Sequence, residues 1–175
     1  MDLRETIDGN LGGFEQLMAK IPGYKGYKQK EMRREADKLL RMEVAGKLED
    51  QRKRVSELQM EFVTGGQIAL LDDLERVVMK MQLLIDRIKT ASYGYAGLFD
   101  AVKIKEEELD TLYEFDNALL DSVNQIATAV DAVQSAAATQ EGVGLSIIDL
   151  VQEVEQAIQA FGHRHEAILQ AQPEG

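Results

Sequence analysis

Residues 70–89 read LLDDLERVVMKMQLLIDRIK. Leu70, Leu71, Leu74, Val77, Val78, Met81, Leu84, Ile85 and Ile88 recur at steps of three and four, which is a broad apolar stripe on a helix. Asp72, Asp73, Glu75, Arg76, Lys80, Asp86, Arg87 and Lys89 fill the other face. A helix patterned in this way hides about a third of its surface and needs other helices to hide it against. The fold class follows from this stretch: all-α.

The same period extends in both directions. Upstream, a seam runs Met32, Ala36, Leu40, Val44, Leu48, Gln51, Val55, Leu58, Phe62, and Thr64-Gly65-Gly66 stops it. Downstream, Leu109, Leu112, Asp116, Leu119, Val123, Ile126, Val130, Val133 and Ala137 form a third seam, with Glu106, Glu107 and Glu108 at the positive end of the helix dipole. Gly142-Val143-Gly144 reads as the next turn and Ser146 as a candidate cap, although Leu145 can also belong to the helix. The last seam is Ile147, Val151, Val154, Ile158, Phe161, His165, Ile168, Gln172. Predicted helices therefore span about 28–63, 67–91, 105–138 and 146–171. Short turns favour antiparallel neighbours, so the expectation is an antiparallel, coiled-coil-like four-helix bundle over residues 28–172. Residues 1–27 precede it as an amphipathic segment and link. In that segment Leu11, Phe14, Leu17, Met18 and Ile21 stripe a short helix that Pro22-Gly23 ends.

Composition narrows the chemistry. The chain has no cysteine, so disulfides, thiol catalysis and thiolate metal sites are excluded. Tryptophan is absent and aromatics are few, which argues against stacking sites for sugars or bases. Met1-Asp2-Leu3-Arg4-Glu5 lacks the basic head and apolar run of a signal peptide. No uncharged apolar run approaches the roughly 20 residues that span a bilayer. The expected location is the cytoplasm, either free or peripheral on the inner face of the membrane.

Charge is unevenly placed. The chain carries a net −11, yet from Lys20 to Arg41 eight basic residues (Lys20, Lys25, Lys28, Lys30, Arg33, Arg34, Lys38, Arg41) face three acidic ones. Such segregation points to an anionic surface meeting one end of the molecule. Three readings follow. Residues 11–21 pack on the bundle with the basic residues in solvent. Alternatively, residues 11–41 lie on an anionic membrane, where Phe14, Leu17 and Met18 insert and Lys25, Lys28, Lys30, Arg33 and Arg34 meet headgroups. In the third reading the island binds an acidic protein face, including the acidic helices of a second copy. Nucleic acid is disfavoured, because the C-terminal helices would repel phosphate.

Other candidate sites are weaker. A bundle of this size suggests di-iron carboxylate chemistry, which needs paired Glu-x-x-His motifs. His163 and His165 are the sole histidines, and neither has a glutamate three residues before it. Two residues apart on a helix, they point to different sides and cannot share one ion. Asp116 and Gln51 sit on seams, where polar residues usually set register. Tyr93, Tyr95 and Phe99 crowd the stretch 92–100 with two glycines, which reads either as a cap over the bundle end or as a partner-binding loop. No nucleophile, cofactor or metal constellation assembles. The expected function is a non-enzymatic scaffold or adaptor, docking on an anionic membrane or acting as a soluble, self-associating protein-interaction module. An enzyme of unrecognised type is the remaining alternative.

Two stretches carry a resemblance. Ile21-Pro22-Gly23-Tyr24-Lys25-Gly26-Tyr27 leads into Met32-Arg33-Arg34-Glu35-Ala36-Asp37-Lys38-Leu39-Leu40-Arg41, and Tyr93-Gly94-Tyr95-Ala96-Gly97-Leu98-Phe99-Asp100 leads toward Tyr113-Glu114-Phe115-Asp116. Both resemble uncharacterised bacterial helical-bundle proteins, a likeness over most of residues 20–120 that implies no activity. The general plan, an amphipathic start before long charged helices, is similar to that of phage-shock protein A type membrane-associated proteins. That similarity implies peripheral membrane attachment.

Overall fold

A computed structural model describes residues 30–91 and 106–170. Four helices account for 93% of them, and no strand occurs among the described residues. They are α1 (Lys30–Thr64), α2 (Leu71–Thr90), α3 (Glu106–Thr139) and α4 (Val143–Gln170), with a 3-10 turn at Ile68–Leu70 leading into α2. The expected all-α bundle is present.

Most seam positions read from the sequence are buried; in α4, however, Leu150 and Ala157 are buried where Val151 and Ile158 were expected, and in α3 Leu120 and Ala136 join the core. Leu40, Val44, Leu48, Val55, Leu58 and Phe62 of α1 are buried with Leu74, Val77, Met81, Leu84, Ile85 and Ile88 of α2. Leu119, Val123, Ile126, Val130 and Val133 of α3 meet Ile147, Leu150, Val154, Ala157 and Phe161 of α4 in the same core. Each fully hidden Leu or Ile side chain contributes about 1.5 to 3 kcal/mol relative to its exposure, so this core is the main source of stability.

Two turns close two hairpins. After α1, the Gln67 N–H donates to the Phe62 carbonyl at 2.9 Å and the Gly66 N–H to Val63 at 3.3 Å. Gly66 has φ of 76°, so this is a Schellman stop with glycine where the left-handed conformation is needed. After α3, the Glu141 N–H donates to the Ala136 carbonyl at 3.3 Å, the residue at the stop is left-handed Gln140, φ 59°, and Gly142, φ 67°, follows in the same turn. The second turn corrects the sequence reading. Gly144 is already helical, Val143 begins α4 with its side chain buried, and Leu145 belongs to the helix. Ser146 is therefore no cap: its hydroxyl donates back to the Gly142 carbonyl at 3.1 Å, inside the first turn. Burial of Val143 draws the helix start three residues earlier than the polar serine suggested.

The hairpins α1–α2 and α3–α4 are antiparallel, and they pack side by side through α1 against α3 and α2 against α4. Both turns lie at one end, because a Cβ on Gly144 would stand 3.9 Å from Leu70 Cδ2. Lys80 of α2 meets Glu155 of α4 at 2.8 Å, about equally far along both helices from that contact. The pairs that join the hairpins are thus parallel, an arrangement the expectation of antiparallel neighbours did not contain. A short turn forces its two helices to be neighbours. The fourteen residues between Ala91 and Glu106 do not, so α2 and α3 occupy opposite corners.

Candidate binding surfaces

At the end opposite the turns, α1 runs on past α2. Arg41 donates from Nη1 to the Ile88 carbonyl at 3.2 Å, and α2 stops at Thr90. The α1 backbone carrying Lys30, Arg33, Arg34 and Lys38 therefore lies beyond the end of α2. Arg41 itself is buried at 6% exposure. Its cation sits at the negative end of the α2 dipole and satisfies a carbonyl that the helix leaves open. The sequence reading placed Arg41 with the outward-facing island. That placement is corrected, since the early end of α2 brings a carbonyl to the guanidinium. Leu39 and Met42 are exposed beside it. Phe14, Leu17, Met18, Lys25 and Lys28 lie outside the described residues, as do Tyr93, Tyr95 and Phe99. Lys30, Arg33 and Arg34 are placed by backbone alone.

The polar seam residues divide. Gln51 is half-buried and accepts a hydrogen bond from Arg54 Nη1 at 2.9 Å, while Asp116 is buried at 3% exposure. Arg54 is a hub: its Nη2 also reaches Asp131 and, at 3.0 Å, Gln134, tying α1 to α3. With Lys80–Glu155 it places one ion pair on each of the two seams between hairpins. Glu49 pairs with Lys89 within the first hairpin, and the hydrogen bond and positive charge of Lys89 lower the Glu49 pKa below the usual carboxylate value. His163 is exposed. Among the described residues no group of three histidine or carboxylate side chains could hold a metal ion. None of the described helices is long and apolar enough to cross a membrane.

A surface absent from the sequence reading lies at the turn end. Met60, Val63, Ile68, Leu145 and Ile148 are all exposed there, with Ile68 at 69% and Leu145 at 70%. Helical register groups them. Val63 lies four turns beyond Glu49, whose pairing with Lys89 marks the flank of α1 toward α2, and Ile148 lies two turns before Glu155 on the flank of α4 toward α2. Ile68, at the mouth of α2, stands between them. Farther along the outer face of α2, beyond Asp72, Glu75 and Arg76, the exposed Met79 and Leu83 line an open hollow of about 610 Å³ together with Asp72, Glu75, Arg76 and Lys80. A signal was available in the sequence: these are the large apolar residues left over once each seam has been assigned.

The rim of this end is acidic. Residues 57–76 and 134–149 contain Glu57, Glu61, Asp72, Asp73, Glu75, Glu141 and Asp149 against the single base Arg76, a net −6. Arg76 is 3.7 Å from Asp73, which leaves the other carboxylates facing solvent without it. Comparison of the chain with protein-family models, with curated proteins and with solved structures gives no match.

Proposed function

We propose that this protein is a non-enzymatic helical scaffold that works by binding, and that its turn end is the surface that receives a protein partner. One observation carries the reading: five exposed apolar side chains gather at one end of the bundle, and carboxylates rim them. Scattered exposed apolar residues need no explanation, whereas a contiguous set with a polar rim is the pattern of an interaction site. A photo-crosslinking side chain at position 68 should capture partner protein in cells, and one at exposed Asp121 on α3 should not. Equal capture at both positions, or none at position 68, would remove the reading.

A second reading has its own support. Because α1 carries Lys30 to Lys38 past the end of α2, the island is offered on a projecting helical segment, as docking on an anionic membrane through residues 11–41 requires. Each Lys or Arg near such a surface contributes on the order of 1 kcal/mol, weakened by salt. Co-sedimentation with acidic but not neutral vesicles, lost in Lys25→Glu/Lys28→Glu/Lys30→Glu, tests it. In this reading too the chain is peripheral and acts by attachment rather than catalysis.

A further inference from the structure

We propose that the chain assembles head to tail, with residues 11–34 of one copy seated on the turn end of the next. The inference rests on the reading of the turn end as a binding surface and names its occupant. Three properties of the surface select that occupant.

Charge is the first. The rim is net −6, so two turn ends facing each other would set carboxylate against carboxylate, and a symmetric contact at this patch is disfavoured. A basic segment is what the rim complements. Residues 11–34 hold Lys20, Lys25, Lys28, Lys30, Arg33 and Arg34 against Glu15 and Glu31. The other basic excess, +3 over residues 38–54, lies within the bundle, where Arg41 and Arg54 are already engaged.

Shape is the second. Met60, Val63, Ile68, Leu145 and Ile148 offer exposed apolar side chains at the turn end, and Met79 and Leu83 stand about 16 to 22 Å farther along the outer face of α2, beyond Asp72, Glu75 and Arg76. Leu11, Phe14, Leu17, Met18 and Ile21 at helical spacing form a stripe of about 16 Å. An amphipathic helix laid on exposed apolar side chains is a common mode of recognition, and here a stripe flanked by base meets an apolar patch rimmed by acid.

Reach is the third. Lys30 begins α1 at the far end of the bundle, and α1 runs about 45 Å from Lys30 to Met60. The nine steps from Ile21 to Lys30 span at most about 30 Å when fully extended. Ile21 of the same copy thus stops short of Met60, Ile68 and Leu145, so the same-copy stripe reaches this end with its first residues at most, whereas the segment of a second copy can lie along it. Because the two surfaces differ, the contact is heterologous and adds further copies unless it closes into a ring.

Sedimentation velocity on the full chain, at several concentrations in low and high salt, tests this. The wild-type protein should form concentration-dependent oligomers that dissociate as salt rises. Ile68→Glu and, separately, Lys25→Glu/Lys28→Glu/Lys30→Glu should each weaken association by about tenfold or more, with helicity unchanged because Ile68 is exposed. Leu145→Glu provides a second turn-end variant. Mixing a turn-end variant with the island variant should restore one interface and yield a one-to-one dimer that grows no further. A monomeric wild type, oligomers that survive both changes, or mixtures that stay monomeric would each overturn the proposal. If the wild type is monomeric and a crosslinker at position 68 still captures a different protein, the head-to-tail contact fails while the turn end remains a binding surface. Capture of nothing defeats both.

Discussion

The two hairpins share one core and differ in almost everything else. Residues 30–91 hold thirteen basic and twelve acidic side chains, a net +1, while residues 106–170 hold one basic and thirteen acidic, a net −12. Of the Leu, Ile and Met side chains exposed by 1% or less, Leu40, Leu48, Leu74, Met81, Leu84, Ile85 and Ile88 belong to the first hairpin, and Leu119, Ile126, Ile147 and Leu150 to the second. The second relies on Val123, Val130, Val133, Ala136, Val154 and Ala157, small groups that let two long helices lie close over a longer shared face. One hairpin supplies bulk and cations, the other close packing and negative charge. Stability should respond to each accordingly.

The largest expected effect is in the bulky hairpin. Ile85→Ala removes a fully buried side chain from the centre of the core and should cost about 3 to 4 kcal/mol in urea unfolding, against about half that for Val154→Ala in the second hairpin. Equal costs would erase the distinction. The reverse substitution sharpens it: Ala157→Leu should overpack the tight hairpin and cost about 1 to 3 kcal/mol.

Arg41 comes next. Arg41→Ala opens the last carbonyls of α2 in a buried place and should cost about 1 to 3 kcal/mol. Amide exchange near the C-terminus of α2 should accelerate more than exchange in α3. If vesicle or partner binding falls while stability stays constant, Arg41 belongs to the island surface after all.

The two turns give a smaller test of opposite sign. Both are Schellman stops, but Gln140 holds the left-handed position that Gly66 holds in the first hairpin. Gln140→Gly should stabilise the protein by about 0.5 to 1 kcal/mol, the relief of a side chain in the left-handed region less the added freedom of the unfolded chain. Destabilisation would mean that the Gln140 side chain makes an unseen compensating contact.

Smallest are the surface charges. Removing Arg54 or Lys80 should cost about 0.2 to 1 kcal/mol each at low salt and less at high salt, because both pairs are largely open to water. Glu49 adds a pH dependence of known sign. Its pKa is lowered by Lys89, so the folded state holds this proton less tightly than the unfolded state does. The pair therefore stabilises the fold at neutral pH, and that contribution disappears as acid protonates Glu49. Glu49→Gln should make the fall in urea midpoint on acidification slightly shallower; a steeper fall would reverse the assignment.

Much of this molecule was readable in the chain. The seam from Leu70 to Ile88 named every buried residue of α2, and Leu40 to Phe62 did the same for α1 apart from Ala45 and Arg41, because a 3.6-residue period records which face meets a core. Gly65-Gly66 marked the first stop correctly. The second stop fell within one residue of its reading, with Gly142 in the turn, but the start of the following helix was misread because Gly144 lies inside it. The candidate surfaces were less readable: Phe14, Lys25, Tyr93 and Phe99 lie outside the described residues, while Ile68 and Leu145 carried no motif.

Local features are written in the chain: four helices, their apolar faces, and the concentration of base near one end and acid over the last two helices. These depend on neighbours three and four residues apart, and such spacing is written in the chain. The tertiary structure alone decided that α1 and α3 run side by side in parallel, that the end of α2 turns Arg41 inward, and that both turns bring Ile68 and Leu145 to one end. Each of those facts depends on which helix occupies which corner, and the sequence leaves that open wherever the connecting segment is long enough to reach more than one corner.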